Sequence, residues 1–69
     1  MNITKEMATE FYRELCDTVY GDENKNSQGV MSIALIADHM EIPLERARAF
    51  CTAMIKYEIT ERQNGMIVV

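Results

Sequence analysis

The sequence predicts a small α+β domain, mostly α, with three helices and a small antiparallel sheet that ends in a short hairpin. Three observations carry this reading. An apolar residue recurs at every fourth position from Ile3 to Val19, so a long amphipathic helix opens the chain. Two shorter segments of helical period meet at Glu41-Ile42-Pro43. Asn64-Gly65 then separates two β-prone stretches, and both residues tolerate the positive φ of a type I′ turn.

The first helix covers about residues 3–20. Ile3, Met7, Phe11, Leu15 and Val19 line one face, with Ala8 beside them. Glu6, Glu10, Arg13 and Asp17 line the other. Asn2 or Thr4 is placed to cap its start, and Gly21 to end it. Residues 21–29 are polar with a glycine at each end, which predicts a mobile loop. Val30 and Met31 suffice for a very short strand, and Ser32 suits a helix N-cap. The second helix runs from Ile33 to about Met40, with Ile33, Ile36, Ala37 and Met40 on one face. Pro43 disfavours helical backbone at Ile42 and suits the first turn of a new helix. That third helix runs from about Leu44 to Tyr57, with Leu44, Ala47, Phe50, Cys51, Met54 and Ile55 inward. Glu58 to Gln63 reads as a strand, and Met66 to Val69 as its return. Residues 1–69 thus form one domain, with a helix-turn-helix unit over about 32–57 and a hairpin over about 58–69. A core this small is thin, and such domains often dimerise or sit on a partner.

The stretch Ile36-Ala37-Asp38-His39-Met40-Glu41-Ile42-Pro43 is similar to the first helix and turn of the winged helix-turn-helix DNA-binding superfamily, of the small bacterial-regulator type. Ala37 stands at that family's small helix-contact position, and Ile42 at the apolar position after the turn. Ala47, Met54 and Ile59 match the apolar positions of the next helix and strand, and Thr60-Glu61-Arg62 resembles the strand into the wing. The resemblance spans roughly residues 30–69. Glu41 and Glu58 depart from it, standing where many members carry glycine. Glu41 is strained if its turn needs left-handed backbone.

The resemblance implies that the third helix enters the major groove of DNA. Its outward face carries Glu45, Arg48, Ala49, Thr52 and Lys56, with Arg46 at the flank. The DNA-binding candidates are therefore Arg46, Arg48, Ala49, Thr52, Lys56 and Arg62. Arginine reads guanine edges, Thr52 suits a phosphate or a thymine methyl, small Ala49 permits close approach, and Lys56 and Arg62 suit phosphates. The same face also fits a protein contact, or simple solvation with Glu45–Arg48 pairing.

Charge limits these readings. The net charge is −4, against the basic surplus of an indiscriminate nucleic-acid binder. Up to residue 40, Lys5, Arg13 and Lys25 face seven carboxylates; beyond it, four basic residues balance four acidic ones. An anionic ligand is thus expected only on the C-terminal half. Tyr12, Cys16 and Tyr20 recur at i, i+4 and i+8, and form either an interface for a second copy or another protein, or a cover over the core edge.

Six methionines suit an adaptable surface, but Met7, Met31, Met40 and Met54 fall at core spacing. Cys16 and Cys51 make no disulfide framework and read as buried thiols in a reducing cytoplasm. No apolar run approaches the roughly 20 residues that cross a bilayer. His39, the lone histidine, reads as a surface residue near a helix end, and neither metal-ligand spacing nor a nucleophile–base pair is present. No cofactor and no catalysis are expected. The expected function is a cytoplasmic, homodimeric transcription regulator that binds duplex DNA. The alternative is an acidic winged-helix interaction module, or a subunit of a larger complex, without DNA binding.

Overall fold

A computed structural model describes residues 2–21 and 29–69. The elements are α1 (Lys5–Tyr20), β1 (Val30–Met31), α2 (Ile33–Met40), α3 (Leu44–Lys56), β2 (Arg62–Gln63) and β3 (Met66–Val68). Three helices pack with an antiparallel sheet of order β1-β3-β2. This is the mostly helical, winged-helix-like architecture expected from the sequence. The loop expected to be mobile falls largely on residues 22–28, outside the described residues.

Of the two expected caps of α1, Thr4 serves: its Oγ1 accepts from the Met7 N–H at 3.1 Å. Gly21 ends the helix at φ 64°, its N–H donating to the Asp17 carbonyl. A repeat of four residues overshoots one helical turn by about 40° per step. The stripe from Ile3 to Val19 therefore winds around the helix and cannot all face inward. Ala8, Phe11 and Leu15 are buried, while Ile3 and Val19 are half-buried at its rims. Met7 is not a core residue, contrary to its spacing: it is 40% exposed.

Ser32 caps α2, its Oγ accepting from the Leu35 N–H at 3.1 Å. Ile36 and Ala37 are buried from this helix. The exit from α2 is a Schellman turn. The Ile42 N–H reaches the Ala37 carbonyl at 3.1 Å, and the Glu41 N–H the Asp38 carbonyl at 3.3 Å. Glu41 is left-handed, at φ 55° and ψ 47°. The exit from α3 repeats this pattern. The Ile59 N–H reaches Met54 O at 2.9 Å, the Glu58 N–H reaches Ile55 O at 3.1 Å, and Glu58 has φ 58°. Each left-handed glutamate is followed by a half-buried isoleucine that packs on the core. Both departures from the glycine pattern thus sit at true left-handed positions.

α3 ends at Lys56 rather than Tyr57, which takes the cap. Ala47, Cys51, Ala53 and Met54 are buried; Ala53 was not on the expected inward face. Leu44 was, yet in the first turn of α3 it is 45% exposed. Phe50 is half-buried and stacks on Phe11 with ring centroids 4.3 Å apart.

The strand expected over Glu58–Gln63 shortens to Arg62–Gln63. The reason is the α3 exit: the N–H groups of Glu58, Ile59 and Thr60 all turn back to helix carbonyls. They cannot then serve a strand ladder. Asn64 (φ 52°) and Gly65 (φ 77°) form the expected hairpin turn, with register Arg62↔Ile67 and Gln63↔Met66. β3 stops at Val68, but Val69 and Gly29 still exchange backbone hydrogen bonds next to the β1–β3 pairing. Met31, Ile67 and Val69 close the core from the sheet side.

A β-carbon at left-handed backbone costs roughly 1 kcal/mol, which glycine escapes. Glu41→Gly and Glu58→Gly should therefore each raise stability by about 1 kcal/mol, read as a higher urea midpoint. Lower midpoints for both variants would show that these turns are not left-handed.

Candidate functional site

α3 buries Ala47, Cys51, Ala53 and Met54. At about 100° per residue, that choice turns Arg48, Thr52 and Lys56 to the opposite side. All three are exposed, and they recur at i, i+4 and i+8 as one stripe. Ala49 beside them is half-buried, and Arg46 is exposed. Ala49, Thr52 and Lys56 line one wall of a shallow cleft of about 550 Å³, and the other wall is Asn2, Ile3 and Thr4. The structure thus brings three of the expected residues into one cleft.

Arg62 is not among them. It lies on β2, where it shares a different cavity of about 580 Å³ with Tyr12, Glu58 and Glu61. The hairpin turn has two residues, so this wing is short.

Residues 2–4 are part of the surface that sequence reasoning missed. Their contact with the end of α3 joins positions more than 50 apart, through the Tyr57 hydroxyl donating to the Ile3 carbonyl at 3.4 Å. No local pattern announces such a contact. Tyr57 also steadies the neighbouring cation, since Lys56 Nζ lies 5.4 Å from its ring centroid.

The charges along α3 are ordered. Glu41 and Glu45 are exposed at its start, Glu58 and Glu61 beyond its end, and the arginines and Lys56 lie between. Glu45 in the first turn and Lys56 in the last also complement the helix dipole.

Tyr12, Cys16 and Tyr20 are half-buried against the chain's own core. The Tyr20 hydroxyl donates to the Val69 carbonyl at 2.8 Å, tying α1 to the sheet. Burial, followed by the neighbouring Cys16, raises the Tyr12 pKa, and burial raises that of Cys16. Cys51 is fully buried, and burial pushes its thiol up to about 11 against the opposing pull of Arg62. None of the three is poised as a nucleophile. His39 is exposed in the last turn of α2, with Nδ1 3.0 Å from the Leu35 carbonyl. Among the described residues, no group of three or more His, Cys, Asp or Glu is placed to hold a metal. Among them too, no helix is long and apolar enough to cross a membrane.

These thiols give a direct check. In the native protein an alkylating reagent should modify Cys16 and spare Cys51 until urea unfolds the chain; equal rates would contradict the buried placement. The raised Cys51 pKa also has a signed consequence. Its stabilising effect is fully present below the unfolded value near 9 and is lost as pH rises toward about 11.

No protein-family model, no curated protein and no solved structure matches this chain, so the site stands on its own geometry.

Proposed function

We propose that this chain is a small winged-helix protein that binds duplex DNA through α3 and acts as a transcription regulator. The observation that carries this reading is the exposed stripe Arg48–Thr52–Lys56, set on a helix whose opposite face is buried. In the helix-turn-helix arrangement the second helix is the one that enters the major groove. Arg48 is the base-reading residue, able to donate two parallel hydrogen bonds to a guanine edge. Ala49 lets the helix approach closely. Thr52, Lys56 and Arg46 hold the phosphates on either side.

The acidic ends of α3 supply selectivity in this reading. Glu41, Glu45, Glu58 and Glu61 repel phosphates, so DNA of arbitrary sequence is held weakly and base contacts have to supply the rest. A single α3 of 13 residues is about 20 Å long, enough for one half-site. Two copies on a two-fold operator would supply the remaining affinity.

A second reading is a protein-interaction module without DNA binding. The acidic balance favours it: the net charge is −4, and the surplus lies in the first 40 residues. Its partner is a second copy or another protein.

Fluorescence polarisation with a mixed-sequence duplex separates the two. The DNA reading expects binding at low salt, with affinity falling as salt rises with a log–log slope of about −2 for the two charged phosphate contacts, Arg46 and Lys56. Arg48→Glu, at an exposed position, should weaken binding at least about tenfold while circular dichroism is unchanged. Absence of binding at low salt would contradict the DNA reading and leave the interaction module.

A further inference from the structure

The seam between α1 and α3 has its own surface, on the flank of α1 away from Tyr12, Cys16 and Tyr20. Phe11 and Phe50 stack there nearly parallel, 4.3 Å apart with 8° between the ring planes. Met7 stands beside them, 40% exposed, and the three line a shallow cavity of about 360 Å³. Every other residue around that cavity is a glutamate: Glu6, Glu10 and Glu14. They recur at i, i+4 and i+8 and all are exposed. Like charges at that spacing repel one another and weaken a helix by a few tenths of a kcal/mol per pair. The basic residues of α1, Lys5 and Arg13, line the neighbouring cleft on the far side of Glu6 and Glu10. The carboxylates therefore stand between those cations and the apolar floor.

We propose that this cavity docks a basic amphipathic helix of a partner protein. One apolar side chain of the partner seats against Met7, Phe11 and Phe50, and lysines or arginines flanking it face the three glutamates. Helix-in-groove recognition uses this combination of an apolar anchor and complementary charges. Methionine suits the floor, because its flexible thioether adapts to the incoming side chain. Nucleic acid is the wrong occupant, since its phosphates would meet the glutamates. A second copy placed by two-fold symmetry would set the same acidic row against itself. This surface is separate from the outward face of α3, so it is compatible with DNA binding and does not depend on it.

The test uses the full chain and a labelled synthetic peptide of leucine and lysine in helical period. The control peptide has serine for every leucine and the same number of lysines. Saturable binding of the Leu/Lys peptide is expected, at least about tenfold tighter than the control. The Glu6→Gln/Glu10→Gln/Glu14→Gln variant, altered only at exposed positions, should lose at least about tenfold. Met7→Gln should weaken binding at least about threefold with the fold intact by circular dichroism. Smaller effects, equal binding of the two peptides, or no saturable binding would each overturn the proposal. Arg48→Glu should leave peptide affinity unchanged, so failure of the DNA reading and failure of this one are told apart.

Discussion

What α3 buries decides what the rest of this domain can present. Three of its four buried residues are Ala47, Cys51 and Ala53, and the fourth is Met54. Small side chains let neighbouring elements approach the helix closely, while the methionine fills the space between them. Leu15 from α1, Ile36 from α2 and Ile67 from β3 are fully buried in the same core. Burial of side chains this size contributes about 1.5–3 kcal/mol each. In a core with so few large members, rotating α3 about its axis would forfeit a large share of the stability. The helix is fixed in rotation, and the stripe Arg48–Thr52–Lys56 is fixed outward as a consequence.

The two ends of α3 are set by a repeated device. Glu41-Ile42 before it and Glu58-Ile59 after it each combine a left-handed residue with an isoleucine that returns to the core. The first makes the sharp corner of the helix-turn-helix unit. The second redirects the chain into the hairpin and shortens β2, because its amides stay bonded to the helix. A carboxylate at such a position costs stability that glycine would not, yet it leaves α3 flanked by negative charge. That combination links the backbone geometry to the charge pattern in which any ligand of α3 must fit.

Much of this was legible in the sequence because the signals were local. Ser32 as a cap, Pro43 at a helix start and Asn64-Gly65 as a reverse turn each depend on neighbours within a few residues. Glu41 and Glu58 are both left-handed, a conformation that the glutamate side chain itself does not announce. The failures come from effects that period counting does not contain. Met7 and Leu44 keep the spacing of core residues but sit where the stripe winds off the core or where the helix begins. Ala53 is buried although it lies off the expected stripe, because α3 is enclosed on more than one side. The cleft between residues 2–4 and the end of α3, and the stacked Phe11–Phe50 seam, join distant parts of the chain. The separation of Arg62 from the α3 stripe likewise depends on the tertiary path of the hairpin.

Two surfaces of opposite character result: a basic stripe on α3 bounded by carboxylates, and an apolar seam beside an acidic row on α1. Assigning duplex DNA to the first is the central functional claim. Backbone amide chemical shifts followed by NMR during titration with duplex DNA test it most directly. The claim expects the largest changes at Arg46, Arg48, Ala49, Thr52 and Lys56, with Glu6, Glu10 and Glu14 unmoved. Changes centred on α1, or none at low salt, would contradict it.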